Sequence, residues 1–126
     1  MDLLLKDKLV VVTGGAKAIG EGIVKVLARE GAIPVIVGRR EADNKKVVTD
    51  VEAAGGKAYQ VEAELMHPEN CEKAVKAVLQ KFGKIHGLVN NAGVNDGVGL
   101  ENGSYEAFMA SLHKNVVHYY LMAHHA

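Results

Sequence analysis

The sequence predicts a doubly wound α/β domain built on a parallel sheet, and three observations carry that prediction. Short β-branched runs alternate with segments of helical period ten or more residues long, which is the pattern of βαβ units. A glycine-rich turn joins the first such run to the first helical segment. An asparagine-glycine turn directly follows the fourth run. Right-handed crossovers then lay the strands side by side with helices on both faces. At 126 residues, 48% of them hydrophobic and 24% charged, the chain can enclose one core and hardly two, so residues 1–126 are read as a single domain.

Each element follows from local chemistry. Leu9-Val10-Val11-Val12, ending in Thr13-Gly14-Gly15, is a continuous apolar run and reads as a strand buried on both faces. From Gly20, the residues Ile19, Ile23, Val26 and Leu27 recur at helical spacing until Gly31 stops them. Pro34 to Val37 is the second strand, its proline tolerated near the strand's beginning. Glu41 to Ala54 places Val47, Val48 and Val51 on one helical face before Gly55-Gly56. Ala58 to Val61 is a short third strand. Pro68 opens a helix whose Cys71, Ala74, Val75, Val78, Leu79 and Phe82 keep close register. Ile85 to Val89 is the fourth strand. From Ser104 one long helix is expected to carry Tyr105, Phe108, Leu112, Val116, Tyr119 and Ala123 along one side, with Tyr119 and Tyr120 as packing groups.

Charge and cysteine usage narrow the function classes. Fifteen Lys and Arg balance fifteen Asp and Glu, so no overall positive field draws the chain to nucleic acid or to anionic membranes. No stretch approaches the roughly 18 apolar residues of a membrane helix. Cys71 is the only cysteine, which excludes an internal disulfide framework and fits a reducing compartment, the cytoplasm by default. It falls in the apolar stripe of its helix and reads as a core residue. His118 and His125 are seven apart, while His124 and His125 are adjacent and point apart. No acidic partner lies in the same turn, so no metal site is expected.

The chemistry-bearing motifs sit in two strand-to-helix turns. Thr13-Gly14-Gly15-Ala16-Lys17-Ala18-Ile19-Gly20 lies where a glycine-rich turn lets backbone N–H groups approach a pyrophosphate at a helix N-terminus. Asn90-Asn91-Ala92-Gly93 follows the fourth strand. In the common strand order 3-2-1-4 the first and fourth strands flank the point where the order reverses, so both loops face one crevice. The asparagines also have a plain structural reading, in which their side chains bond nearby backbone and tie the sheet ends together.

Together these residues resemble the short-chain dehydrogenase/reductase family, whose fingerprint is a TGxxxGxG turn followed at this distance by NNAG. The resemblance spans the whole chain and implies a Rossmann-type fold. It also implies an NAD(P)-dependent oxidoreductase that moves hydride between a nicotinamide ring and a carbinol or carbonyl carbon of a small-molecule substrate. It carries cofactor contacts onto Gly14, Lys17, Ala18, Ile19, Gly20, Arg39, Glu64, Leu65, Asn91, Ala92 and Gly93. Asn115, within Leu112-His113-Lys114-Asn115-Val116, matches the family's catalytic asparagine, which holds a water in a proton relay. The alternative for Asn115 is a helix-interior amide bonded to a neighbouring carbonyl. The family's corresponding helix commonly packs against its copy, so a homotetramer or homodimer is implied.

Three departures stand out. Ala18 replaces the second glycine of the turn; if that position needs a positive φ, the methyl costs about 1–2 kcal/mol. Glu64 stands where an aspartate is usual near the adenine. His86 stands where an acid commonly precedes the fourth strand, and no function is attached to it. Cofactor choice turns on Val37-Gly38-Arg39-Arg40, where glycine occupies the place of an NAD-type acid. Arg39 could grip a 2′-phosphate and Lys17 could add a second positive charge, so NADP is favoured, with NAD open and solvated surface charge as the plain reading.

The segment Asn95-Asp96-Gly97-Val98-Gly99-Leu100-Glu101 is similar to that of family members that oxidise the anomeric hydroxyl of aldoses, the L-fucose dehydrogenase branch. Asn95, Asp96 and Glu101 would suit a sugar's hydroxyls; a solvated loop is the bland alternative. The family's serine and Tyr-x-x-x-Lys pair do not occur here: Tyr59, Tyr105, Tyr119 and Tyr120 are followed four residues later by Ala63, Met109, Ala123 and His124. A sheet ending at a central-looking fourth strand is also unfinished. The chain is therefore expected to be the first part of a longer protein and not to turn over alone. A non-catalytic nucleotide-binding or regulatory module is the competing class.

Overall fold

The computed structural model describes every residue from Met1 to Ala126. Its elements are β1 (Leu9–Thr13), α1 (Ala18–Arg29), β2 (Ile33–Gly38), α2 (Glu41–Ala53), β3 (Tyr59–Glu62), α3 (Pro68–Phe82) and β4 (Gly87–Val89). They are followed by α4 (Tyr105–Leu112), a π-helical turn (His113–Val117) and α5 (His118–His125). The four strands form one parallel sheet in the order β3-β2-β1-β4. The doubly wound α/β fold with strand order 3-2-1-4 is therefore observed.

Period-two alternation divides the core into two layers. Leu9, Val11, Val35 and Val37 face Cys71, Ala74, Val75 and Val78 of α3 and Met122 of α5. Val10, Val12 and Ile36 face Val24 of α1 and Val47 and Val51 of α2. With both faces of β1 and β2 covered, neighbouring residues of one strand are all buried, which is why the runs read as continuously apolar. Each such side chain stabilises the fold by about 1.5–3 kcal/mol relative to exposure. The Cys71 thiol lies within this core, donates to Leu65 O at 3.5 Å, and is pushed up in pKa by burial. Helix ends follow their chemistry: Pro68 sits in the first turn of α3, Gly83 closes that helix at φ +77°, and Ser104 Oγ accepts the Ala107 N–H at 3.1 Å to start α4.

Expectations for the first and last helices are corrected in part. In α1, Val24 is fully buried with Ile23 and Leu27 packed partly buried against the same layer, as their spacing predicts, while Ile19 and Val26 are exposed. Gly20 is buried against the preceding turn and Asn91, where a Cβ would lie 2.0 Å from Gly14 O and 2.6 Å from Asn91 Nδ2. At the chain's end the predicted single helix is interrupted by the π turn, and the stripe Tyr105, Phe108 and Val116 faces solvent. A π turn takes one residue more than an α turn, so the residues beyond it are rotated out of the α register. His118 and Met122 thereby become the buried pair that packs toward α3. Tyr120 is exposed and stacks on His124 instead of packing inward, whereas Tyr119 is half-buried edge-on against His118. No helix is long and apolar enough to cross a membrane.

Candidate functional site

The C-terminal ends of β1, β2, β3 and β4 open onto a cleft of about 480 Å³, at the place where the strand order reverses. Its first wall is the turn between β1 and α1. Gly14 adopts φ +67°, and a Cβ there would lie 2.9 Å from Ala92 Cα; one on Gly20 would lie 2.0 Å from Gly14 O. Both clashes are with backbone, so only glycine lets the turn fold this tightly. Ala18 sits at φ +47°. The positive φ considered as a condition from the sequence is thus realised, and the turn keeps its place with a strained alanine in it.

The second wall is the turn after β4, and it is bolted to the first. Thr13, fully buried, accepts the N–H groups of Asn91 and Ala92 on its Oγ1 at 3.0 and 3.1 Å and donates to Val89 O at 3.5 Å. Asn91 Nδ2 donates to Gly14 O at 3.2 Å, and Asn90 Nδ2 donates to Tyr119 O at 3.1 Å. The asparagines therefore do tie the sheet ends together, and in doing so they bring the two loops to one cleft.

The electropositive ingredient is the start of α1. Lys17 is its N-cap without a side-chain cap, and Glu21 N–H to Lys17 O at 3.2 Å is the first helical bond, so the preceding N–H groups are free for an anion. Gly14, Lys17, Ala18, Ile19, Arg39, Glu64, Leu65, Asn91, Ala92 and Gly93 all line the cleft. Gly20 supports it from behind. The two cations singled out for a 2′-phosphate each face a carboxylate: Arg39 lies 3.8 Å from Glu64 and Lys17 lies 3.5 Å from Asp43. All four side chains are well exposed, so these pairs are weak and an incoming anion can compete with them. Glu64 also accepts the Met66 N–H at 3.2 Å, which fixes the longer side chain near the third strand's end.

Asn115 lies on the π turn, beneath Gly93. Its Oδ1 accepts the Val94 N–H at 2.7 Å and its Nδ2 donates to Ser111 O at 3.0 Å. The neighbouring-carbonyl bond foreseen for a helix-interior amide is present, together with a bond to the loop after β4. Asn95, Asp96 and Glu101 are not brought to the cleft. They stand on an exposed loop, where Asn95 accepts the Gly97 N–H at 3.2 Å and Asp96 accepts the Ser111 hydroxyl at 3.2 Å.

Several lining residues escaped the sequence reading. Asp43, Asn44, Met66, Lys114 and His118 all border the cleft. Lys114 and His118 are four apart around the π turn, where His118 Nε2 donates to Lys114 O at 2.8 Å. Spacing from Asn115 was their only available signal.

The sequence profile described as short chain dehydrogenase matches residues 8–126. The chain belongs to the short-chain dehydrogenase family. An uncharacterized oxidoreductase of Methylorubrum extorquens is 37% identical over 114 residues, covering 90% of this chain and 46% of that protein. L-Rhamnose 1-dehydrogenase (NAD(P)(+)) of Azotobacter vinelandii is 36% identical over 97 residues, covering 73% of this chain and 38% of that protein. Among solved structures, an NADH-dependent reductase complexed with NAD superposes with a TM-score of 0.92 at 28% identity, covering 100% of this chain and 53% of its own. This short-chain dehydrogenase chain thus spans about half, or less, of the length of the relatives it matches.

Proposed function

We propose that the protein containing this chain is an NAD(P)-dependent oxidoreductase whose cofactor lies in the cleft between the glycine-rich turn and Asn91-Ala92-Gly93. One observation carries the reading: Thr13 and Asn91 bind the two turns into a single cradle whose backbone no Cβ could enter at Gly14 or Gly20. That cradle fits a dinucleotide, because a pyrophosphate needs close backbone and free N–H groups at a helix start. When bound, the nicotinamide supplies hydride exchange with a carbinol or carbonyl carbon of an alcohol, ketone or aldehyde substrate.

Within this reading Gly14, Lys17, Ala18, Ile19 and Gly20 hold the pyrophosphate, while Glu64 and Leu65 border the adenine. Asn91, Ala92 and Gly93 form the wall beside the rest of the cofactor. Asn115 is a proton-relay residue, held in place by Val94 and Ser111. NADP is preferred to NAD: Gly38 offers no carboxylate to a ribose hydroxyl, and Arg39, only loosely paired with Glu64, can turn to a 2′-phosphate. An aldose such as L-fucose is the proposed substrate, supported by the polar Asn95, Asp96 and Glu101 on the loop after β4, where Asp96 accepts the Ser111 hydroxyl, and by the likeness to an L-rhamnose 1-dehydrogenase. The exposed stripe Tyr105, Phe108, Val116 and Tyr120 supports a homodimer or homotetramer. The lone buried thiol accords with the cytoplasm.

Titration of NADPH and NADH against the full-length protein and its Arg39→Ala variant tests this. NADPH is expected to bind more tightly, and the variant to lose about tenfold for NADPH with little change for NADH, as one charge-assisted contact predicts. Equal affinities untouched by the substitution would remove the NADP preference, and no binding of either would remove the cofactor reading itself.

A further inference from the structure

The end of β2 is shaped by a residue six positions further along the chain. Asn44, in the first turns of α2, is 1% exposed, and its Nδ2 donates to Gly38 O at 3.0 Å and to Gln60 Oε1 at 3.2 Å. Its Oδ1 is buried with no hydrogen-bond partner. A Cβ built on Gly38 would lie 2.5 Å from that Oδ1, 3.3 Å from Cγ and 3.4 Å from Nδ2. Exchanging the amide's oxygen and nitrogen would only bring Nδ2 to the position of the clashing oxygen, so it relieves nothing. Nor can the amide readily swing aside, since two bonds hold it and it is almost wholly buried. Both Gly38 and Asn44 border the cleft, beside Arg39 and Arg40.

We propose that Asn44 is a specificity-determining residue of the cleft: its buried amide fills the space that a side chain at position 38 would need and so keeps a carboxylate out of the end of β2. In dinucleotide sites an acid in this region accepts hydrogen bonds from a ribose and repels a 2′-phosphate, whereas an arginine accommodates the phosphate. Barring the acid leaves the corner to Arg39, Arg40 and Lys17. Asn44 acts without touching the cofactor, through the backbone it keeps bare. This rests on the dinucleotide reading of the cleft.

The test is a double-mutant cycle in the full-length protein, with Gly38→Asp, Asn44→Ala and the pair together. NADPH and NADH affinities are measured by titration. The expected result is that Gly38→Asp alone weakens both cofactors at least tenfold, while the double variant shifts the NADPH-to-NADH preference toward NADH at least tenfold relative to Asn44→Ala. A folded Gly38→Asp protein that moves to NADH as far as the double variant would overturn the proposal. Should Gly38→Asp fail to fold, the same cycle with Gly38→Ala is read by melting temperature. Asn44→Ala is expected to rescue more than half of the drop that Gly38→Ala causes, and additive drops would overturn it. If the wild type binds neither dinucleotide, the reading of the cleft fails, while the melting-temperature cycle still decides whether Asn44 excludes a side chain at 38.

Discussion

The two sides of the sheet's centre are finished to different degrees. Around β1 and β2 every strand residue from Leu9 to Thr13 and from Pro34 to Val37 is buried, because α1 and α2 cover one face and α3 and α5 the other. One strand further, Gly87, Leu88 and Val89 of β4 are only half-buried, α4 buries no residue, and Phe108, Val116 and Tyr120 stand in solvent. The difference teaches that within these 126 residues the closed core lies around β1 and β2, whereas β4 is the flank they leave uncovered. The covered side presents the glycine-rich turn, and the bare side carries the π turn with Asn115.

The sharpest way to break this comparison is a pair of matched truncations. Ile36→Ala empties a fully buried site between β2 and the α1–α2 layer, and should cost about 3 kcal/mol. Leu88→Ala removes a side chain that already meets solvent, and should cost roughly 1 kcal/mol in this chain. Urea denaturation of the two variants measures both. Equal losses would show that β4 is as well covered as β2 and would end the contrast.

A smaller effect of opposite sign is expected at the glycine-rich turn. Ala18 at φ +47° holds its methyl in the left-handed region, at a cost of about 1–2 kcal/mol. Ala18→Gly removes that strain and adds back some freedom to the unfolded chain, worth about 0.4–1 kcal/mol. The net is a gain of about 0.5–1 kcal/mol, seen as a rise of a few degrees in melting temperature. A fall instead would mean that the alanine methyl makes a contact worth more than its strain.

The elements legible in the sequence were those whose signal is local. Leu9–Val12 and the α3 stripe from Cys71 to Phe82 were readable because buried strands are uniformly apolar and a covered helix shows its period. Val24 was missed because helical spacing alone does not fix how α1 is rotated against the sheet. The long last helix was misjudged because a single π turn rotates everything beyond it, and nothing in His113–Val117 announces one. The cleft's glycines and asparagines were legible as a motif. Asn44 and His118 were not, since polar residues are assigned to the surface unless a partner is known, and their partners, Gly38 and Gln60 in one case and the turn's own carbonyl in the other, are set by tertiary folding. The carboxylates facing Arg39 and Lys17 were hidden for the same reason.

The smallest expected effect lies on the seam between the two sides. His86, just before β4, accepts the Leu9 N–H on Nδ1 at 2.9 Å, while its own N–H donates to Leu9 O at 2.8 Å, so its side chain extends the pairing of β1 with β4 by one more bond. Desolvation, aided by Lys8 and Lys84, holds its pKa below the ordinary value of 6.5. A protonated Nδ1 cannot accept, so the folded state disfavours the charged ring. The stability His86 contributes is therefore fully present above the unfolded value, and is lost as pH falls below 6.5 and through the depressed folded value. His86→Asn places an acceptor that does not titrate in this range at the same reach. The denaturation midpoint of the wild type should fall further between pH 8 and pH 5 than that of the variant. Parallel pH profiles would show that the seam does not depend on this imidazole, and that β4 is joined to the covered side by its strand pairing with Val10, Val11 and Val12 alone.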